Sequence, residues 1–223
     1  MRTTTVISLG GSIVVPDGVD TAFLSAFVAR MRARLAADPD WRLALVIGGG
    51  STARHYQKAA REVAPDCASE TQDRIGIAAT RINAELVRAA FGALCPDPVI
   101  TDPTNPGVVS GSVVVGSGWK PGFSTDNVSV RLAESLGATT LINLSNIAQV
   151  YTADPRSDPS ATPLTQVSWK EFIAIVGDEW VPGKNTPFDP VATKRAAGLG
   201  MTVIAADGRD LSNLESILDG RPF

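Results

Sequence analysis

The sequence is poor in the side chains on which several common enzyme mechanisms depend. Its 223 residues include one histidine, His55, and two cysteines, Cys67 and Cys95. This inventory excludes a zinc site built from histidine and cysteine, excludes an HExxH metal motif, and leaves a Ser-His-Asp triad with one candidate base. A Cys67–Cys95 disulfide is the alternative to free thiols, but because no secretory signal is evident we expect two buried, reduced cysteines.

Long hydrophobic runs and an excess of basic charge are also absent. The apolar run in MRTTTVISLGGS is short and meets Gly10-Gly11 rather than a cleavage site, so we expect no signal peptide. The sequence contains no stretch of about 18 apolar residues, so we expect no membrane-spanning helix. The 23 acidic and 20 basic residues give a net charge of −3, which argues against a nucleic-acid-binding surface because such surfaces are usually basic.

Apolar strands alternate with amphipathic helices along the chain. Strands are predicted at 3–9, 42–47, 99–101, 112–115, 139–144 and 201–206. Helices are predicted at 20–37, from a Ser51 N-cap onward, at 69–91 with Ile75, Ile82, Leu86 and Val87 on one side, at 124–136, from Asp189-Pro190 onward, and at 210–218. This alternation indicates an α/β fold with a largely parallel sheet covered on both faces, whose ligands bind at the carboxyl ends of the strands.

Glycine is concentrated in three clusters that directly follow predicted strands. They are Gly10-Gly11-Ser12, Gly48-Gly49-Gly50-Ser51, and the segment 116–122. Glycine permits positive φ angles and removes the Cβ that would block a ligand. The second cluster also opens a helix, whose free N–H groups favour an anion, and Arg54 lies about one turn into that helix. The three clusters together favour phosphate binding over three ordinary strand-to-helix turns.

Several familiar phosphate-binding motifs are missing. GxxxxGK[ST] is absent, and Gly183-Lys184 is followed by Asn185. GxGxxG does not follow the first strand, and the protein-kinase HRD and DFG motifs do not occur. The phosphate site is therefore neither a Walker A loop nor a dinucleotide fingerprint.

Six ordered segments resemble the amino-acid-kinase superfamily, and within it the archaeal type of UMP (uridylate) kinase. The resemblance extends over essentially the whole chain. Its segments are SLGGSIVVP at 8–16, IGGGSTARHY at 47–56, DRIGIAATRINAELV at 73–87, KPGFSTDNVSVRLAE at 120–134, LSNIAQVYTADPRSDPSA at 144–161 and FDPVATKRA at 188–196.

The resemblance implies a fold, a reaction and an assembly. It implies one domain over 1–223, a three-layer αβα sandwich, with the acceptor bound by about 1–137 and ATP by about 138–223. Such kinases transfer the γ-phosphoryl group of ATP to UMP, with Mg²⁺ carried by the nucleotide phosphates and no separate protein metal site. They are cytoplasmic enzymes of pyrimidine nucleotide synthesis and usually homohexamers, and neither nucleic acid nor a membrane is an expected partner.

The resemblance also assigns roles to individual residues. It places ATP at Gly10, Gly11, Gly50, Arg54, Ser145, Tyr151 and Asp154. It places UMP at Gly49, Asp73, Gly118, Trp119, Lys120, Pro121, Gly122, Phe123, Ser124 and Thr125, with Asp73 on the uridine ribose. The catalytic residues it implies are Arg54, which neutralises phosphate charge, Asp126, which organises a lysine network, and Lys194, which stabilises the transferring phosphate.

The sequence departs from the family pattern at three places. The usual TNVDGVY is SNIAQVY here, so Ala148 replaces an acid and Gln149 replaces a glycine, which points to an altered donor site or weaker ATP binding. Trp119 and Lys120 are unusual in the acceptor loop and point to a change in acceptor specificity. Ser8 stands where many members of the fold have a lysine, although the archaeal type commonly lacks that lysine.

Two classes of alternative remain open from the sequence. The first is another kinase of this fold, acting on acetylglutamate, carbamate, aspartate, isopentenyl phosphate or fosfomycin. The last two types use a histidine about where Arg54 stands, whereas the histidine here is one residue later, and an arginine suits an acceptor that already carries phosphate. The second is a non-catalytic relative that stores oxyanions or senses nucleotides, which would not need Asp126, Asp154 and Lys194 together.

Overall fold

A parallel sheet forms the centre of the molecule. The computed structural model describes residues 2–153, 158–177 and 186–223. Its strands are β1 (Thr3–Leu9), β2 (Trp41–Ile47), β3 (Val113–Gly116), β4 (Thr140–Ser145), β5 (Val150–Tyr151), β6 (Pro163–Leu164) and β7 (Thr202–Asp207). Five of them form one sheet in the order β3-β2-β1-β4-β7, and every pairing in it is parallel, whereas β5 and β6 pair antiparallel as a separate hairpin.

Helices cover both faces of this sheet. They are α1 (Gly11–Val14), α2 (Thr21–Ala37), α3 (Gly50–Val63), α4 (Ser69–Phe91), α5 (Thr125–Ser135), α6 (Trp169–Val176), α7 (Pro190–Gly198) and α8 (Leu211–Leu218). The predicted α/β class with a largely parallel, doubly covered sheet is confirmed.

Two hydrophobic cores lie on opposite faces because neighbouring residues of a strand point in opposite directions. In β2, Leu43, Leu45 and Ile47 enter the core shared with α2, α4 and α8. Ala44 and Val46 enter the core shared with α5, α6 and α7. All five of these residues are fully buried, so β2 is apolar on both faces, as expected for an interior parallel strand. β1 pairs with β2 on one side and with β4 on the other, so strands from the first and second halves of the chain lie in one sheet.

Side-chain caps fix the starts of five helices. A backbone N–H in the first turn donates to the side chain of the N-cap residue in α2 (Asp20), α5 (Ser124), α6 (Ser168), α7 (Asp189) and α8 (Asp210). Such caps satisfy N–H groups that have no partner within the helix. The predicted helix starts at Asp20, Asp189-Pro190 and Asp210 are confirmed.

Three local predictions are wrong. Ser51 is not an N-cap: α3 begins at Gly50, and the buried Ser51 hydroxyl donates to the carbonyl of Asp17. Ile82 and Leu86 are exposed on α4, because the buried face of that helix is a different one, formed by Ala79, Thr80, Asn83, Ala84, Val87 and Phe91. The segment 99–101 forms a single bridge between Ile100 and Gly116 instead of a strand.

The sequence did not predict the β5–β6 hairpin or α6, because each element is too short to show a clear periodic pattern. Both cysteines are free, but the predicted burial of Cys67 is wrong, since that residue is only partly buried. Cys95 is buried, and burial raises its pKa to about 11. Within the described ranges no helix has the length and apolarity needed to cross a membrane.

Candidate active site at the carboxyl edge of the sheet

The first two glycine clusters pack directly against each other. Leu9 and Ile47 are paired at the ends of β1 and β2, so the chains leaving them are neighbours. A Cβ on Gly11 would overlap the backbone nitrogen of Gly50, and a Cβ on Gly48 would overlap the backbone nitrogen of Gly11. Gly50 has φ +60°, a conformation that disfavours other residues. The two loops can therefore approach this closely only as glycines.

This close packing brings two helix starts to the same edge. α1 begins at Gly11 and α3 at Gly50, and neither has a side-chain hydrogen bond at its N-cap. The N-terminal end of the 14-residue α3 carries partial positive charge and backbone N–H groups suited to phosphate. Gly10, Gly11, Gly49 and Gly50 are thus brought together, as the sequence predicted.

Arg54 lies one turn into α3 and is exposed. One terminal nitrogen of its guanidinium donates to the carbonyl of Pro16 over 2.8 Å. Pro16 follows α1, so this bond holds the arginine against the segment that continues from the first glycine loop. A guanidinium has five N–H donors, and the remaining ones suit a phosphate group.

Residues 118–123, between β3 and α5, form the loop that the family resemblance assigns to the acceptor, and we call it the acceptor loop. Hydrogen bonds fasten it to α4. Gly118 N–H donates to the Thr80 hydroxyl over 2.8 Å, and Gly122 N–H donates to an Asp73 carboxylate oxygen over 2.8 Å. A Cβ on Gly118 would approach that same hydroxyl to 2.9 Å. Asp73 therefore contacts the loop that the family resemblance groups with it around UMP. Gly122, at φ +82°, makes the turn in this loop.

Asn83 connects α4 to the second glycine cluster. This buried side chain donates from its amide nitrogen to the carbonyls of Gly48 and Gly49, over 2.9 and 3.1 Å. Sequence reasoning missed both Asn83 and Thr80. The sequence signal that could have identified them is their spacing: two polar residues three positions apart in a long helix lie on the same face.

An aromatic–cation cluster, formed by Trp119, Lys120, Phe123 and Arg131, covers the other side of the acceptor loop. The two rings are 4.8 Å apart in an edge-on arrangement. The Lys120 ammonium lies 3.9 Å from the Trp119 ring centre, and the Arg131 guanidinium lies 5.5 and 5.1 Å from the Trp119 and Phe123 ring centres. Sequence reasoning missed Arg131, whose position on α5 gave no motif signal.

Asp126 lies in the first turn of α5, directly after the acceptor loop and its Ser124 cap. One carboxylate oxygen accepts from the Ser8 hydroxyl at 3.4 Å, and the other accepts from the Asp189 N–H at 3.1 Å. Burial, opposed by the Asp189 N–H bond, raises the pKa of Asp126 to about 6. Asp126 thus joins β1, α5 and the start of α7, and the exposed Lys194 lies on α7 itself.

The predicted donor residues follow β4. The Ser145 hydroxyl accepts from Ile147 N–H and Tyr151 lies half-buried in β5, whereas Asp154 falls outside the described residues. A cavity of about 770 Å³ along β7 is lined in part by Ala148 and Gln149, but by neither Ser145 nor Tyr151. No described non-glycine residue has a positive φ, so Gln149 causes no backbone strain.

This arrangement suits the transfer of a phosphoryl group. Such transfer depends on positioning and charge neutralisation, and requires little covalent chemistry from the protein. The site offers backbone N–H groups, an arginine on a helix start and a fastened loop, all at one edge of the sheet. Its one histidine neighbour, His55, is exposed beside Arg54.

Comparison with known proteins agrees with this geometry. The Amino acid kinase family matches residues 3–207. A uridylate kinase of Methanospirillum hungatei is 38% identical over 223 residues, covering 99% of this chain and 92% of the relative. A uridylate kinase of Pyrococcus abyssi is 34% identical, covering 97% of this chain and 95% of the relative.

A solved structure supports the same relationship. The crystal structure of uridylate kinase from Archaeoglobus fulgidus superposes with a TM-score of 0.83 at 30% sequence identity. The match covers 99% of this chain and 97% of that one.

Proposed function

Because the chain belongs to the amino acid kinase family, we propose that it is a uridylate kinase, which converts ATP and UMP into ADP and UDP. The observation that carries this proposal is the contact between Asp73 and the acceptor loop, beside the packed glycine clusters. The loop that would bind a nucleoside monophosphate then lies beside the glycine loops that would bind phosphate groups. The names of the relatives favour UMP over the acceptors of other kinases of this fold.

The transfer requires an in-line displacement at the γ-phosphorus of ATP. A phosphate oxygen of UMP forms the new bond to phosphorus, while the bond from phosphorus to the β–γ bridging oxygen breaks and ADP leaves. We assign the N–H groups of Gly10 and Gly11 to the donor phosphates. Arg54 neutralises the charge between donor and acceptor, which is the role in which an arginine contributes most to such reactions.

We assign the acceptor to the side chains and backbone of the fastened loop. Asp73 is exposed and a carboxylate accepts up to about four hydrogen bonds. It can therefore hold a ribose hydroxyl while it also accepts from Gly122 N–H. The residues from Gly118 to Thr125 then wrap the UMP, with Gly49 on the facing loop.

Asp126 and Lys194 complete the proposed catalytic group. Asp126 contacts Ser8 and the N-cap residue of α7, the helix that carries Lys194. We propose that Asp126 fixes the start of α7 relative to β1 and so sets where Lys194 presents its charge to the transferring phosphate. Ser145, Tyr151 and Asp154 are proposed to hold ATP.

Mg²⁺ is proposed to enter with ATP. The ion prefers oxygen ligands, keeps several waters, and is commonly held by substrate phosphates with one or two carboxylates. The phosphates that carry the ion would bind at the N–H groups at the start of α3, so no separate protein metal site is proposed. The metal would neutralise the phosphate charge that develops during transfer.

We propose that about residues 1–137 bind UMP and about residues 138–223 bind ATP, within one domain.

We propose that the protein acts in the cytoplasm as a homohexamer. The exposed apolar side chains Tyr56, Val63 and Ile82 on α3 and α4 support an association between copies. Light scattering on the purified protein tests the assembly: a mass of six chains supports it, and a mass of one chain rejects it.

An acceptor panel tests the proposed reaction. ADP release is measured by a coupled assay with ATP and Mg²⁺ in the presence of UMP, CMP, dTMP, AMP, acetylglutamate or isopentenyl phosphate. The expected result is turnover with UMP well above the others. Protein that binds ATP but turns over none of the nucleotides would reject the proposal and favour a sensor or storage role.

A further inference from the structure

The acceptor loop is held on two sides by different kinds of contact. On one side, backbone N–H groups of Gly118 and Gly122 bond to Thr80 and Asp73 of α4. On the other side, the aromatic–cation cluster connects the loop to α5 through Arg131. All of these contacts join residues of the protein, and together they fix the position of the loop relative to both helices.

Two kinds of contact hold the guanidinium group of Arg131 in place. Its Nε donates to the side-chain oxygen of Asn127 over 2.7 Å, and Asn127 is buried one turn earlier in α5. Its guanidinium then contacts the rings of both Trp119 and Phe123. Burial and the neighbouring Arg195 lower the pKa of Arg131, and a partly desolvated guanidinium interacts more strongly with an aromatic ring than an exposed one does.

We propose that Arg131 is a positioning residue for the acceptor: it fixes Trp119 and Phe123, and through them the loop that receives UMP. This rests on the proposed function. Arg131 makes no assigned contact with substrate, and it acts by making the unliganded loop resemble the bound loop. A loop that is ordered in advance loses less conformational freedom when the ligand binds, so the effect falls on the affinity for the acceptor.

Three substitutions separate the contributions of Arg131. Arg131→Ala removes both the charge and the packing, Arg131→Met keeps an apolar stem of similar shape without the charged end, and Arg131→Lys keeps a charge without the planar group. Arg88→Ala is the matched control, since Arg88 is also a half-exposed helical arginine with a side-chain hydrogen bond, to Glu85. It lies at the far end of α4.

Steady-state kinetics give the first readout. Arg131→Ala is expected to raise the KM for UMP about tenfold, which corresponds to cation–π contacts with two rings. The kcat and the KM for ATP should change less than twofold. Arg131→Lys should recover part of the loss, Arg131→Met should not, and Arg88→Ala should behave as the wild type. A change confined to kcat, or equal changes in all parameters, would overturn the positioning role.

Amide hydrogen exchange without nucleotide gives a second readout that does not need activity. The amides of Gly118 and Gly122 should exchange at least fivefold faster in Arg131→Ala, while those of β1 and β2 stay unchanged. Unchanged exchange in the loop would overturn the proposal whatever the kinetics show. If the wild type fails to phosphorylate UMP, the proposed function fails, and the exchange experiment still decides whether Arg131 holds the loop.

Discussion

The two halves of the candidate site are held together by different means. At Gly11, Gly48 and Gly50 the backbone of one loop lies directly on the backbone of the other, and no side chain fits between them. The acceptor loop is instead held by side chains from α4 and α5, namely Thr80, Asp73 and Arg131. Because of this difference, the packed glycine loops tolerate almost no substitution, whereas the position of the 118–123 loop can be adjusted through Thr80, Asp73 and Arg131.

The largest effect is expected from adding one carbon to the backbone-packed half. Gly11→Ala should lower the free energy of unfolding by about 4 kcal/mol, because its Cβ overlaps backbone atoms that cannot move independently. Gly18→Ala is the control, since a Cβ there meets nothing within 4 Å. Urea denaturation measures both. Equal stability of the two variants would show that the loops are not in the contact described.

The charge on this half should matter for chemistry more than for stability. Arg54→Ala is expected to reduce kcat by about 100-fold, or about 3 kcal/mol, by analogy with the loss of other donors to transition-state charge. Arg61→Ala, two turns along the same helix, is the control, because its guanidinium bonds to Gln72 instead. Steady-state turnover with UMP makes the measurement. An Arg54→Ala enzyme with normal kcat would remove Arg54 from the mechanism.

The side-chain-held half should respond through acceptor affinity. Thr80→Val preserves shape but leaves the N–H of Gly118 without its partner, at a cost of about 1 to 2 kcal/mol. We expect a raised KM for UMP, an unchanged KM for ATP, and a small loss of stability in urea. Thr21→Val, at the exposed first residue of α2, should leave both KM values unchanged. An equal rise in both KM values would contradict the assignment of the loop to the acceptor.

The smallest effect concerns Asp126, where the two halves meet. Its pKa in the folded protein is about 6, against an ordinary value of 3.8. Between these values the folded protein keeps a proton that the unfolded chain has lost, so stability falls as pH rises through this window. From pH 5 to pH 8 the wild type should lose about 1 kcal/mol relative to Asp126→Asn. A constant difference in urea midpoints would contradict the raised pKa.

The sequence predicted the backbone-held half better than the side-chain-held half. Glycines that follow apolar strands are visible in one dimension, and so are the helix starts at Asp20 and Asp189. The fastening residues were not visible, because Thr80 is 38 residues from Gly118 and the pairing arises only when α4 packs beside β3. Ile82 and Leu86 gave a false signal, because their apolar spacing indicated a buried face. Both are exposed, and the buried face of α4 carries Thr80 and Asn83.

In the segment that follows β4, the sequence drew attention to features that the structure does not show. The departure at Ala148 and Gln149 drew attention to backbone strain, but the backbone there is unstrained and both residues line a cavity. Short elements such as the β5–β6 hairpin and α6 depend on tertiary contacts, such as the bond from the Trp169 indole nitrogen to the carbonyl of Met201. A periodicity read over eight or fewer residues cannot supply that information.

Product analysis tests the central claim most directly. The protein is incubated with ATP, Mg²⁺ and UMP, and the phosphorus resonances of the products are followed by ³¹P NMR. The account predicts that UDP and ADP appear in equal amounts, at a rate that falls about 100-fold in Arg54→Ala. Release of ADP and inorganic phosphate without UDP, or no reaction in protein that binds ATP, would contradict it.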